Sequence, residues 1–163
     1  MINDALRTRD SSVIQPWVTT VCILTSAIIK ISELSSIDTV VYSGMPPCYF
    51  PALSTFGGDN AAESLVQHGF MPSTVDPEVL ADYFGGKYTE GVVWVVIPTF
   101  SSRPADHSSL SMYPEEGELI FPPCTTLQIV AVERMETLNK YLVCVQQVSC
   151  AGTSAHLCHA SLH

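Results

Sequence analysis

The sequence predicts an α+β domain, with its helices early and its short strands late. Three observations carry this. Trp17, Val21, Leu24, Ile28 and Ile31 recur at helical spacing, so one helix should face the core along that stripe. Val92-Val93-Trp94-Val95-Val96-Ile97 is a β-branched run, apolar on both faces, as a central strand requires. Further strand-like runs follow at 118–121, 126–132 and 141–148. Two early helices followed by short strands suggest α+β.

In chain order, residues 1–8 suit a short helix burying Ile2, Ala5 and Leu6. Pro16 stands near the start of the next helix, where a missing N–H costs little. Ser35-Ser36 and Asp38 break that helix, and Thr39-Val40-Val41-Tyr42 begins a strand that Ser43-Gly44 should end. Pro46, Pro47 and Pro51 make 45–58 an irregular loop. Asp59 suits the N-cap of a helix through Gln67. His68-Gly69-Phe70 returns the chain to a second strand. Asp76-Pro77-Glu78 opens a helix, with Asp as N-cap and Pro in the first turn, running to Phe84 and stopping at Gly85-Gly86. Residues 101–114 form a long polar loop, a length usually tied to function.

At 163 residues the chain suits one domain, assigned to 1–150, with a small, polar, loosely held tail at 151–163. It is 47% hydrophobic and 14% charged, which is a globular and not a disordered composition. Sixteen acids against seven bases give a net charge of −9, which repels nucleic acid and anionic lipid and suits a cationic partner. The six cysteines include no CxxC. The chain is also large enough to fold without disulfide staples. Cys150, His156, Cys158 and His159 do not follow a zinc spacing, so no metal is expected. The apolar stretch 17–29 is too short to span a bilayer and carries no signal-peptide flanks, so it reads as a core helix. The expectation is an intracellular, cytoplasmic monomer.

The chemistry concentrates at Tyr113-Pro114-Glu115-Glu116-Gly117-Glu118, which runs into Leu119-Ile120-Phe121. In an extended chain Glu116 and Glu118 project from one face, so both carboxylates reach one site at a strand entrance. Chemistry through a cationic transition state at a sugar carbon needs such groups. The same residues also read as a solvated acidic turn before a strand. Elsewhere, Gly85-Gly86-Lys87 lacks the P-loop pattern, Cys124 has no evident base, His68 reads as structural, and His107 lies in the polar loop near the carboxylates.

With these segments in place, the chain resembles the arginine-specific mono-ADP-ribosyltransferase family from Asn3 to Val148. Asn3-Asp4-Ala5-Leu6-Arg7 is similar to its early N-x-x-L-R helix. T-V-V-Y-S-G-M at 39–45 resembles its first core strand, usually Y-R-G. Gly69 to Tyr83 resembles its serine–threonine–serine strand and following helix, and Ala105-Asp106 with Leu110 to Glu118 resembles its E-x-E loop. The resemblance implies a split β-sheet cleft that takes NAD as substrate. The nicotinamide–ribose bond breaks there, and a ribosyl cation meets an arginine of an acceptor protein. It implies catalytic roles for Glu118 (stabilising the cation), Glu116 (handling the guanidinium) and Ser73. It implies NAD contacts by Tyr42, Ser43, Gly44, Ser73 and Thr74, and acceptor contact by Tyr113.

Two departures matter. Ser43 stands where the family has an arginine. Losing one charge-assisted hydrogen bond, roughly 1.5–3 kcal/mol, weakens NAD binding roughly ten- to a hundred-fold. Arg103 is the loop residue available as a substitute. Aligned without gaps, the first serine falls on Pro72, which has neither hydroxyl nor N–H; a one-residue bulge would bring Ser73 into its place. Met112 stands where a glutamine is expected. The alternatives to a transferase are an inactive binding module on the same fold and an NAD glycohydrolase.

Overall fold

The computed structural model describes residues 1–45, 64–80, 91–99, 103–135 and 140–148. Three helices come first: α1 (Ile2–Thr8), α2 (Ser11–Ile14) and α3 (Val18–Leu34), the last two joined by a 3₁₀ turn at Gln15–Trp17 that carries Pro16 in its first turn. Asp10 caps α2 by accepting from the Ser12 N–H at 2.8 Å. Eight strands follow: β1 (Val41–Met45), β2 (Ser64–Gln67), β3 (Met71–Thr74), β4 (Gly91–Ile97), β5 (Ala105–Asp106), β6 (Glu118–Phe121), β7 (Thr125–Met135) and β8 (Lys140–Gln147).

The strands hydrogen-bond into one mixed sheet, ordered β2-β7-β8-β4-β1-β3-β6-β5. The β4–β8 pair is parallel and the other described pairs are antiparallel. The β-branched run at β4 lies mid-sheet between β8 and β1, as its two apolar faces require. One face of the sheet gathers Val41, Met71, Trp94, Phe121, Leu127 and Val143, from six strands, into a single buried cluster. Phe121→Ala is expected to cost about 3–5 kcal/mol, read as a lower urea midpoint at unchanged slope. A loss under about 1 kcal/mol would mean that Phe121 is not core.

The other face carries the helices. Ile28 of α3 buries with Phe70 and Ala105, and Ile2, Leu6, Val21, Ile31 and Ile120 pack around them. Ile120 lies two residues after Glu118 on the same face of β6, so the helices cover β6 just beyond the first carboxylate of the strand.

Several expectations need correction. Residues 64–67 are not the end of a helix: they pair as β2 with β7, Ser64 opposite Gln128 and Gln67 opposite Thr125. Tertiary pairing wins because it buries Gln67 and packs Leu65 on the core. Strand β1 does not stop at Ser43-Gly44, because its ladder to β4 runs unbroken from Val41↔Val96 to Met45↔Val92. On α3, Leu24 is 41% exposed and does not join the core stripe; Ile28 is the residue fully buried there. The helical path also begins before Pro16, at Ser11. Ser11–Leu34 is helical over 24 residues, and an 18-residue window within it has mean hydropathy 1.6, which by length and composition is enough to cross a membrane. The loop at 46–58, the cap at Asp59, the helix end and glycine stop at 81–86, and the tail at 151–163 lie outside the described residues.

Candidate functional site

Strands β1, β3 and β6 lie side by side, and their register aligns the site. Tyr42 stands opposite Thr74, and Thr74 opposite Glu118. Residues opposite one another across antiparallel strands share a face. Tyr42, Gly44, Pro72, Thr74 and Glu118 therefore lie on the helix-bearing face. A cavity of about 380 Å³ opens there, within the usual range for a small-molecule site. Gly44, Pro72, Ser73 and Thr74 form its sheet wall, Val79 and Leu80 its helix wall, and Glu116 and Glu118 its acidic end. The helix wall belongs to the element beginning at Pro77, after Asp76 accepts from the Glu78 N–H at 2.9 Å.

The two carboxylates meet at one cavity, but not by strand alternation. Glu116 ends a 3₁₀ turn that starts at Pro114, and Glu118 begins β6. Gly117 between them sits at φ 54°, a left-handed conformation that side-chain-bearing residues adopt only at a cost of about 1–2 kcal/mol. Thr74 fixes the turn: its hydroxyl donates to the Glu116 carbonyl at 2.9 Å and accepts from the Asp76 N–H at 3.0 Å. Glu116 is exposed; Glu118 is about one-third exposed, its Oε2 lying 3.2 Å from Nε2 of His107.

The pleat separates the remaining candidates. Ser43 is 1% exposed and shares the core face with Val41 and Met45; its hydroxyl donates to the Pro72 carbonyl at 2.7 Å. It braces β1 against β3 and turns away from the cavity. The bulge expected at Ser73 is absent: β3 and β6 keep regular register from Met71↔Phe121 to Thr74↔Glu118. Ser73 therefore puts its side chain on the core face with Leu119, its hydroxyl 3.5 Å from the Met71 carbonyl, although the residue borders the cavity. With no bulge in this ladder, Pro72 and not Ser73 lies on the cavity face of β3. Arg103 does not reach the cavity wall; its Nη1 donates to the Ser35 carbonyl at 2.9 Å, at the end of α3. Among the described residues no lysine or arginine lines the cavity.

Positive charge gathers at the entry to β3, where α1 packs on the helix-bearing face. The Asn3 amide clamps Phe70, accepting from its N–H at 2.9 Å and donating to its carbonyl at 3.1 Å. This pins α1 to the strand and gives the N-x-x-L-R pattern a structural reason. Arg7, one turn on, has its Nε buried without a hydrogen-bond partner. A Cβ added at Gly69 would lie 3.6 Å from that nitrogen. Burial, with Arg9 nearby, lowers the pKa of His68 from its ordinary value, so the two arginines carry the charge there. In the sequence Arg7 stands out only within the N-x-x-L-R pattern; what distinguishes it chemically, the orphaned nitrogen, arises from the tertiary packing. Leu110, Met112 and Tyr113, on the loop before the carboxylates, are all strongly exposed.

This mixed sheet with early helices and an acidic cavity at a strand entrance is the ADP-ribosyltransferase fold. Vis, an ADP-ribosyltransferase toxin from Vibrio splendidus solved also in complex with agmatine, aligns at a TM-score of 0.70 with 21% identity, over 94% of this chain and 68% of that one. HopU1, an ADP-ribosyltransferase of Pseudomonas syringae pv. Tomato, aligns at 0.66 with 18% identity, over 90% of this chain and 63% of that one. The toxin Plx2a from Paenibacillus larvae aligns at 0.64 with 15% identity, over 91% and 79%. No family model and no curated protein matches the sequence.

Proposed function

We propose that the chain transfers ADP-ribose from NAD to an arginine of an acceptor protein, releasing nicotinamide. The observation that carries this reading is the convergence of Glu116 and Glu118 on one cavity of an ADP-ribosyltransferase fold. Glu118, backed by the covered part of β6, faces the ribose and stabilises the positive charge that develops as the glycosidic bond breaks. A fixed carboxylate is worth more to that cation than to neutral ribose, so it lowers the barrier and does not merely bind substrate. Glu116, exposed and on a turn, meets the incoming guanidinium, whose planar donors match a carboxylate. Thr74 positions Glu116; Tyr42 and Gly44 complete the NAD face of β1. Ser43 acts by bracing β1 against β3 and not by touching substrate, and the Ser73 hydroxyl turns back toward its own strand. Tyr113, with Leu110 and Met112, offers the acceptor protein an apolar rim.

Arg7 takes the place of the missing strand arginine for the pyrophosphate. A charged group with a buried, unused N–H at the cavity side of the sheet is suited to that anion. Arg7→Ala is expected to raise the KM for NAD roughly ten- to a hundred-fold, with a smaller change in kcat. An unchanged KM would place the pyrophosphate elsewhere.

The test of the whole reading is incubation with labelled NAD and either agmatine or an arginine-rich protein. Neither label transfer nor nicotinamide release from a folded sample would end it. Pro72 and the lack of a lining cation among the described residues favour a second reading, an inactive binding module; micromolar NAD affinity by calorimetry would count against that. Nicotinamide release with free ADP-ribose as sole product would identify a glycohydrolase.

A further inference from the structure

The reading of Glu118 as the cation-stabilising carboxylate raises the question of what holds it, since Pro72 brings no hydroxyl and Ser73 faces the other side of the sheet. Among the described residues, the one side-chain partner of its carboxylate is His107, with Nε2 3.2 Å from Oε2. The contact is built in. Strand β5 pairs Asp106 with Leu119 at the sheet edge, which sets the next residue beside Glu118. The backbone of His107 is fixed by the Leu110 and Ser111 N–H groups, which donate to its carbonyl at 2.8 and 3.1 Å. The neighbouring carboxylate does not compete. Asp106 accepts from the Ser108 hydroxyl at 2.6 Å and its N–H at 3.0 Å, and these bonds hold its pKa below the ordinary value. Glu116 lies across Gly117 on the cavity side.

The other ring nitrogen decides the tautomer. Nδ1 of His107 is buried without a partner. A neutral imidazole carries one N–H and one lone pair. An unpaired N–H at Nδ1 would forfeit its hydrogen bond to water, while a proton on Nε2 is used at once by Glu118. The proton therefore belongs on Nε2.

We propose that His107 is a positioning residue: its Nε2–H holds Oε2 of Glu118, so that Oε1 is the oxygen left for the ribose. This rests on the transferase reading for its substrate, but not for the His107–Glu118 pair itself. The experiment has two arms. In the first, wild type, His107→Ala and His107→Gln are assayed for nicotinamide release. The alanine variant should lose about tenfold in kcat at unchanged KM for NAD, the worth of one hydrogen bond to a charged group. Glutamine, which can present an amide N–H at the same reach, should restore most of it. A wild-type kcat in the alanine variant, or a change in KM alone, overturns the proposal.

In the second arm, nitrogen-15 NMR of the wild-type imidazole reports the tautomer, and Glu118→Gln is compared. The Nε2–H form, with ring shifts that move on Glu118→Gln, upholds the pair. The Nδ1–H form, or shifts insensitive to Glu118→Gln, overturns it. A wild type without nicotinamide release sinks the transferase reading alone and leaves this arm to decide. Should His107→Ala fail to fold, the glutamine variant and the spectra carry the test.

Discussion

Glu118→Gln should lower nicotinamide release by about 10²–10³-fold while leaving the fold intact. The amide keeps the size and planarity of the carboxylate and can still accept from His107 Nε2, so β6 and its ladder to β3 lose nothing structural. What it loses is the negative charge where positive charge develops on the ribose. The effect should therefore fall on kcat, with NAD affinity by calorimetry changed much less. Unfolding free energy should stay within about 0.5 kcal/mol of wild type. A variant that keeps more than about a tenth of wild-type release would show that Glu118 is not the charge the reaction needs.

Glu116→Gln should separate the two halves of the reaction. Its carboxylate sits on the exposed turn and its backbone is held by Thr74, so the substitution leaves the cavity wall in place. Transfer to agmatine should fall roughly ten- to a hundred-fold, the worth of a charge-assisted pair to a guanidinium. Hydrolysis of NAD by water should stay within about twofold of wild type, because water needs no guanidinium partner. The informative quantity is the ratio of ADP-ribosyl agmatine to free ADP-ribose at equal NAD turnover. A ratio that does not move would remove Glu116 from the acceptor side.

Much of the scaffold was legible in the residues. The run at 92–97 announced a central strand by its two apolar faces, and β4 lies between β8 and β1. The helix at 2–8 was legible from its apolar spacing, although its real anchor, the Asn3 clamp on Phe70, depends on a partner 67 residues away. The four residues 64–67 carry too little periodicity to oppose the cap signal at Asp59, and only the ladder to β7 makes them a strand. The helical path through Trp17 starts earlier than Pro16 suggests, because a proline in the first turn of a 3₁₀ segment lets Ser11–Ile14 continue into α3.

The candidate site divides in the same way. Composition and order were enough to select an acidic α+β chain whose carboxylates at 116 and 118 lead into a strand, because residue type and spacing are properties of the chain itself. Which side each neighbour faces was not such a property. Register and pleat placed Thr74 opposite Glu118, turned Ser43 and Ser73 to the core, and left Pro72 on the cavity. Likewise the contact of His107 with Glu118 and the orphaned nitrogen of Arg7 exist only where β5 meets β6 and α1 meets β3. Hydrogen bonds between strands distant in sequence set these distances, and no local pattern of residues encodes them.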